Sequence, residues 1–156
     1  MTQSLKLPAL QPESAEARQE TDYPGEYKNI VAGRARRALG DALGLSQFGV
    51  NSVHLAPGAA SAQRHWHSKE DEFVVILQGE VVLISDGGEQ ILRAGDTAGF
   101  PAGVADGHHL VNKGSEEAVY IEIGSRVTGD VVDYPDIDLV YLKEAGIFTN
   151  KRGESY

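Results

Sequence analysis

An antiparallel all-β fold is predicted for the greater part of this chain by three features of its sequence. Short strand-like runs recur at close intervals from residue 48 to residue 123, and turn-forming Gly, Pro, Asp or Asn bound each run. The chain has 156 residues, which suits one domain with an ordinary core. No internal repeat or low-complexity tract interrupts the pattern. Together these features are typical of an antiparallel sandwich or barrel.

The predicted strands follow one another with only short turns between them. Pro57-Gly58 and Gly87-Gly88 are examples of the turn sequences that separate them. A last apolar run follows the turn at Pro135 and is expected to pack on the barrel exterior or against a second subunit. The predicted runs are residues 48–55, 63–67, 72–77, 80–85, 89–93, 97–100, 108–112, 118–123 and 137–142.

Both ends of the chain are expected to lie outside the barrel. Residues 1–28 are polar, contain three prolines and have few apolar anchors. Residues 1–30 are therefore predicted to form a loosely ordered, polar N-terminal arm, with one helical turn near Ser14. The barrel is predicted over residues 31–145, and residues 146–156 form a tail. The periodicity of residues 33–45 is too weak to decide between helix and irregular chain.

Composition and charge argue against several classes of partner. The 23 acidic and 14 basic residues give a net charge of −9, whereas nucleic-acid backbones are bound by clustered Lys and Arg. The short basic cluster Arg34-Ala35-Arg36-Arg37 is interpreted as solvated surface. The N-terminus lacks the pattern of a signal peptide, and no apolar run approaches the ~20 residues of a membrane span. We therefore expect a cytoplasmic protein with no nucleic-acid or membrane partner.

A pair of histidines and a following carboxylate form a candidate metal site. His65 and His67 lie in a segment without helical periodicity, and positions i and i+2 of an extended strand project from the same face. Glu72 follows after a short loop and can place its carboxylate beside them, with Asp71 as the alternative. Since the chain has no Cys, only nitrogen and oxygen ligands remain. Such a set suits a divalent transition metal with vacant coordination positions better than a closed structural zinc site.

Two segments of the chain carry characteristic residues at fixed spacings. They resemble the two signature motifs of the cupin superfamily, G-(X)5-H-X-H-(X)3,4-E-(X)6-G and G-(X)5-P-X-G-(X)2-H-(X)3-N. The first segment has one extra residue before its first histidine, and the second has two extra residues before its histidine. The matching positions are Gly58, His65, His67, Glu72 and Gly79 in the first segment, and Gly95, Pro101, Gly103, His108 and Asn112 in the second.

The resemblance implies both a fold and a set of metal ligands. Cupins are antiparallel double-stranded β-helices, or jelly-roll barrels. The implied ligands here are His65, His67, Glu72 and His108. Because adjacent strand residues face opposite ways, only one of His108 and His109 can reach the metal. The spacing to Asn112 favours His108, and His109 remains the alternative.

The implied ligand set limits the chemistry without naming the reaction. Three imidazoles and one carboxylate leave two positions free on a six-coordinate Fe, Mn, Ni, Co or Zn ion, and the sequence does not distinguish these ions. Cupins similar to this chain include dioxygenases, decarboxylases, lyases and sugar-phosphate isomerases. We hypothesise a small metalloenzyme whose partner is a small oxygenated metabolite that chelates the metal. The alternatives are a non-catalytic small-molecule-binding module and a dimer in which the metal is only structural.

Three further polar residues are expected near the metal, and the chain is expected to form a dimer. Gln63, Tyr120 and Glu122 are candidates for polar groups beside the metal. No catalytic residue is assigned, and no organic cofactor site is predicted. A homodimer is expected, because the arm and the tail exceed what one small barrel needs and exchanged strands cover exposed sheet edges.

Overall fold

Thirteen short strands are the main secondary structure of the computed structural model, which describes residues 7–156. One α-helical turn, α1 (Leu39–Ala42), and two 3-10 helices, Pro12–Ser14 and Gly25–Val31, lie before the third strand. The strands are β1 (Ala17–Arg18), β2 (Arg34–Ala38), β3 (Phe48–Leu55), β4 (Trp66–His67), β5 (Glu72–Gln78), β6 (Glu80–Ser85), β7 (Gly88–Arg93), β8 (Thr97–Phe100), β9 (His109–Val111), β10 (Ala118–Ser125), β11 (Val131–Tyr134), β12 (Leu139–Leu142) and β13 (Ile147–Thr149).

The strands pair into three antiparallel sheets. The sheets have the orders β1-β2-β3-β10-β5-β8, β13-β12-β11-β4 and β7-β6-β9. Strands far apart in sequence are neighbours, as in the pairing of β3 with β10 and of β5 with β8. Such crossing connections are those of a jelly roll and not of a simple meander. The predicted all-β antiparallel barrel is confirmed.

The main core lies between the six-stranded and the three-stranded sheets. Val53 of β3 pairs with Tyr120 of β10, which pairs with Ile76 of β5, and all three are at most 1% exposed. Val81 and Leu110 contribute to the same core from the opposite sheet. Because strand side chains alternate between faces, every second residue along β3, β5 and β10 continues this inner surface. The polar members of that series therefore face the barrel interior.

A second apolar cluster joins the N-terminal segment to the four-stranded sheet. Tyr23 and Val31 are buried with Val132, Tyr134 and Leu139. The prediction of a loosely ordered arm over residues 1–30 is wrong for its last part, because Tyr23 is buried in this cluster and Tyr27 and Ile30 pack against it. Polar and proline-rich composition masked that anchoring. Residues 1–6 of the predicted arm lie outside the described residues.

Several strand bounds match the sequence prediction and others do not. The runs at 48–55, 80–85 and 97–100 coincide with β3, β6 and β8. The run at 63–67 is strand only at its last two residues, and β2, β11 and β13 were not predicted.

Among residues 7–156, no helix is long and apolar enough to cross a membrane.

The basic cluster at the start of the barrel is a strand. β2 pairs with β3, so that Arg36 lies opposite Val53 and Arg34 lies opposite Leu55, both on the inner face. Arg37 faces outward and donates a hydrogen bond to the carbonyl of Ala15. The interpretation of the cluster as solvated surface is therefore wrong for Arg34 and Arg36. Strand alternation sends two of its three arginines inward.

Candidate metal centre

Three histidines surround the carboxylate of Glu72 at one end of the barrel interior. The Nε2 atoms of His65, His67 and His108 lie 3.5, 3.2 and 2.6 Å from the Glu72 carboxylate oxygens. His65 and His108 are held together by an isolated antiparallel bridge, and Glu72 begins β5. The structure thus brings together all four residues implied by the resemblance. Their role as ligands stays a prediction.

The second nitrogen of each imidazole is held by an acceptor outside the cluster. Nδ1 of His65 lies 2.8 Å from the carbonyl oxygen of Gln63, and Nδ1 of His108 lies 3.1 Å from that of Asp106. Nδ1 of His67 lies 2.6 Å from the buried carboxylate of Asp130. In this geometry Nδ1 carries the proton and donates it, so Nε2 of each ring is directed at the common centre.

The two adjacent histidines occupy different environments. His108 is buried, its Nε2 faces Glu72, and its ring stacks on Phe100 with centroids 3.6 Å apart. His109 instead directs Nδ1 to the carbonyl oxygen of Ala62 at 2.8 Å, and burial lowers its pKa. Only His108 belongs to the cluster, as its spacing to Asn112 indicates.

The acidic neighbours of Glu72 are engaged elsewhere. Asp71 accepts a hydrogen bond from the backbone amide of Ala102 at 2.8 Å. Glu70 is buried, where it pairs with Lys143 and accepts from the amide of Val127. Glu72 is therefore the carboxylate that faces the imidazoles, and the Asp71 alternative does not fit.

The charged groups of the cluster shift one another's pKa values. Burial alone would raise the pKa of Glu72, but the facing histidines hold it well below its usual value. Burial likewise opposes protonation of His67, yet Glu72 and Asp130 outweigh it and raise the pKa of His67 to about 9. Glu72 is thus an anion at neutral pH, ready to pair with a cation at the centre.

Asp130 is a functional candidate that the sequence analysis missed. Its carboxylate also accepts hydrogen bonds from the Lys69 amide at 2.9 Å and from the Ser68 hydroxyl. It is 1% exposed, and its contact with His67 spans 63 residues of sequence. No spacing within a motif marks such a distant carboxylate, so only the folded chain reveals it.

A cavity of about 510 Å³ opens beside the cluster. Tyr120 and Glu122 line it, as the sequence analysis expected. Gln63 does not, because its amide donates to the carbonyl of Tyr27 at 3.0 Å. Arg34 and Arg36 also line the cavity, and the sequence analysis had assigned them no role.

The donor set fits a divalent transition metal. Nitrogen or oxygen atoms of His65, His67 and Glu72 all lie within 4.8 Å of one another, so one ion could reach all three. His108 adds a third imidazole nitrogen beside the same carboxylate. Imidazole and carboxylate donors suit Fe, Mn, Ni, Co and Zn. The three Nε2 atoms supply neutral donors and Glu72 supplies a negative charge, which together suit a divalent cation.

Comparison with known proteins places the chain in a family. The cupin-domain family model matches residues 51–124. A crystal structure described as a sugar phosphate isomerase of the cupin superfamily from Silicibacter pomeroyi is 41% identical and covers 96% of each chain, with a TM-score of 0.90. The chain belongs to the cupin superfamily. No match was found among curated proteins.

Two further structures resemble this cupin less closely. A proposed sugar phosphate isomerase from Acidithiobacillus ferrooxidans is 34% identical, with a TM-score of 0.66 over 79% of this chain and 74% of the other. A polyketide cyclase from Streptomyces resistomycificus is 16% identical, with a TM-score of 0.62 over 77% of this chain and 80% of the other. The cyclase shares the fold alone.

Proposed function

We propose that this cupin is a divalent-metal-dependent enzyme that interconverts the aldose and ketose forms of a small phosphorylated sugar. The observation that carries the proposal is the convergence of three Nε2 atoms on Glu72 at the wall of a cavity. The isomerase reaction is favoured over oxygenase or lyase chemistry by the 41% identical relative described as a sugar phosphate isomerase.

The metal would be held by His65, His67, Glu72 and His108. When bound, a divalent ion supplies Lewis acidity, which polarises a carbonyl oxygen and acidifies a neighbouring hydroxyl. Asp130 supports the site by fixing the proton of His67 on Nδ1 at 2.6 Å. Loss of such a supporting hydrogen bond typically weakens metal affinity about ten- to a hundredfold.

The base proposed to move the proton between carbons is Glu122. Its side chain lines the cavity, where Asn51 donates a hydrogen bond to Oε1 at 2.9 Å. In the aldose, Glu122 takes the proton from C2 and returns it to C1, while the O2 hydroxyl proton passes to O1. The atoms balance without an oxidant or reductant. General base catalysis needs a carboxylate within hydrogen-bonding reach of the proton, and Glu122 lines the cavity in which the sugar would bind.

Metal analysis combined with a panel of aldose phosphates tests the proposal. Protein purified without chelator should contain close to one divalent ion per chain and should produce a ketose from at least one substrate. His67→Ala should lower metal affinity by about ten- to a hundredfold or more, because an imidazole ligand is removed. Full metal occupancy in His67→Ala would contradict the assignment of the site.

A second variant separates metal binding from catalysis. Glu122→Gln should keep the metal and lose turnover by about a hundredfold or more, since the base is gone while the four proposed ligands remain. Undiminished turnover in Glu122→Gln would reject its role. Sugar phosphate binding without conversion by the unaltered protein would instead favour the non-catalytic binding module.

A further inference from the structure

Two arginines project into the cavity from the strand that borders it. Arg34 and Arg36 are two residues apart on β2, so their side chains share its inner face. They line the same cavity as His65 and Glu72. A molecule that fills this cavity and contacts the histidine cluster would therefore also contact two guanidinium groups.

The guanidinium of Arg34 forms no ion pair with a carboxylate in the described part of the chain. Its Nη1 donates to the carbonyl oxygen of Ser61 at 2.6 Å, and its Nε is buried without a hydrogen-bond partner. Among residues 7–156, no carboxylate oxygen lies within 4.0 Å of this guanidinium. The neighbouring Arg36 reaches a carboxylate only at 3.9 Å, on Glu122. Glu122 thus offsets part of the positive charge of the pair from one side, and Arg34 itself has no direct ionic contact among the described residues.

Burial makes this arrangement costly without a ligand. Desolvation lowers the pKa of Arg34, and the positive charge of Arg36 lowers it further. A guanidinium in a partly buried space is normally paired with an anion, because removing it from water is unfavourable. An anion between the two arginines would offset both the desolvation and the repulsion.

The hydroxyl of Tyr120 provides a second, independent observation. Tyr120 is 1% exposed and lines the same cavity, and among residues 7–156 its hydroxyl approaches the Ser61 side chain without forming a hydrogen bond of good geometry. A buried hydroxyl without a good hydrogen bond is unfavourable, and most such groups in folded proteins are satisfied. Val53 of β3 lies opposite both Tyr120 of β10 and Arg36 of β2, so β3 separates the tyrosine from the arginine strand. A ligand oxygen at this wall would satisfy it.

We propose that Arg34, Arg36 and Tyr120 form an anion subsite that binds the phosphate group of the substrate. The choice of a phosphate monoester rests on the proposed function, whereas the anion site itself rests on the unpaired groups. Guanidinium forks match phosphate oxygens in pairs, and Arg binds such groups with more geometric specificity than Lys. The tyrosine hydroxyl donates to a further oxygen. The phosphate is thereby anchored beside the histidine cluster, with the sugar extending towards Glu72.

A purely structural role accounts for only part of the geometry. The hydrogen bond from Arg34 to Ser61 ties β2 to the loop that precedes β4. It leaves the Arg34 Nε and the Tyr120 hydroxyl unexplained. A test must therefore separate ligand binding from fold stability.

Titration of the full-length protein with inorganic phosphate provides that test. Binding is measured by calorimetry on chelator-treated and Zn-loaded protein, so that phosphate on the metal is separated from phosphate on the arginines. Arg34→Lys and Arg36→Lys should each weaken phosphate binding by about tenfold or more in both forms, because bidentate hydrogen bonds are lost. The matched control is Arg37→Lys, whose side chain faces outward on the same strand. It should bind phosphate like the unaltered protein.

Tyr120→Phe distinguishes a binding role from a structural one. Removing an unpaired hydroxyl should leave the melting temperature unchanged or raised, while phosphate binding weakens severalfold. Equal phosphate affinity in the unaltered protein, both arginine variants and Tyr120→Phe would overturn the subsite, even if isomerase activity is found. Arginine-dependent phosphate binding without any isomerase activity would leave the subsite standing and reject the proposed reaction.

Discussion

His108 and His109 are neighbours in the chain, yet their rings contact different parts of the molecule. His108 faces Glu72, whereas His109 contacts the carbonyl of Ala62. We therefore expect His108→Ala to lower metal affinity by about ten- to a hundredfold or more, and His109→Ala to leave it nearly unchanged. Metal content after dialysis measures the difference. Exchanged effects would assign the role to His109, and two harmless variants would reduce the centre to two histidines and Glu72.

The ionic contacts of His67 predict how the metal-free protein responds to pH. The pKa of His67 rises from 6.5 to about 9 on folding, so the protonated ring stabilises the fold fully below about pH 6.5. That contribution is lost as the pH rises through about 9. The pKa of Glu72 is lowered, so its contribution is present above its usual pKa and is lost on strong acidification.

Urea unfolding of chelator-treated protein between about pH 5 and pH 10 measures this response. The midpoint should fall on the alkaline side, and His67→Gln should flatten that fall because the titrating ring is gone. An identical alkaline fall in His67→Gln would show that another group causes it.

The residues of the cluster and those around it differ in how far the sequence reveals them. The positions of His65 and His67 follow from strand alternation, and the spacing to Asn112 placed His108 beside them. Asp130 escaped prediction because it approaches His67 across 63 residues of chain. Arg34 was missed because a charged side chain on a short basic run is usually solvated, and only the pairing of β2 with β3 turns it inward.

The tight turn that carries the chain from β5 in the six-stranded sheet to β6 in the three-stranded sheet depends on the backbone of Gly79. Its φ is +75°, and an added Cβ would lie 2.7 Å from the carbonyl oxygen of Glu117. Gly79→Ala should therefore lower the free energy of unfolding by about 2 kcal/mol or more.

A neighbouring turn glycine provides the control for this substitution. Gly87 has no left-handed φ, and the nearest atom to an added Cβ is 3.7 Å away, on Ser85. Gly87→Ala should change stability by no more than about 0.5 kcal/mol. Comparable losses in the two variants, measured by thermal or urea unfolding, would contradict a special role for Gly79.

Whether the sequence predicts a strand depends on how apolar the residues of that strand are. Strands rich in apolar residues, such as β3 and β6, were predicted with their observed bounds. β2 carries charged residues on its inner face, and β11 places Asp133 between buried Val132 and Tyr134. Hydrophobic alternation is the signal for a half-buried strand, so strands that line a polar cavity or lie at the edge of a small sheet escape it.

The fold of the whole molecule is expected to survive loss of the metal. Its two apolar clusters contain none of the four proposed ligands, so packing persists when the ion leaves. Chelator-treated protein should keep a β-rich circular dichroism spectrum and melt cooperatively. Its melting temperature should be lower than that of the loaded protein, since an ion at a hundred times its dissociation constant adds about 2.7 kcal/mol. A random-coil spectrum after chelation would reject this expectation.

The assembly state is a second property of the whole molecule. We expect a homodimer, because the outer face of the six-stranded sheet exposes Phe73 and Leu77 by 41% and 54%, and an edge strand such as β8 invites pairing. Sedimentation at micromolar concentration should give about twice the 16.7 kDa chain mass. A single 16.7 kDa species would contradict the prediction.

The hydrogen bonds that orient the imidazoles also bear on how this protein can diverge. His65 and His108 are each held by a carbonyl two residues earlier in their own segment. Substitutions replace side chains and leave carbonyls in place, so a lineage can exchange the cavity-facing residues without disturbing these two rings. His67 alone depends on a replaceable partner, Asp130. New substrates are therefore open to descendants that retain one aspartate and redesign the opposite wall.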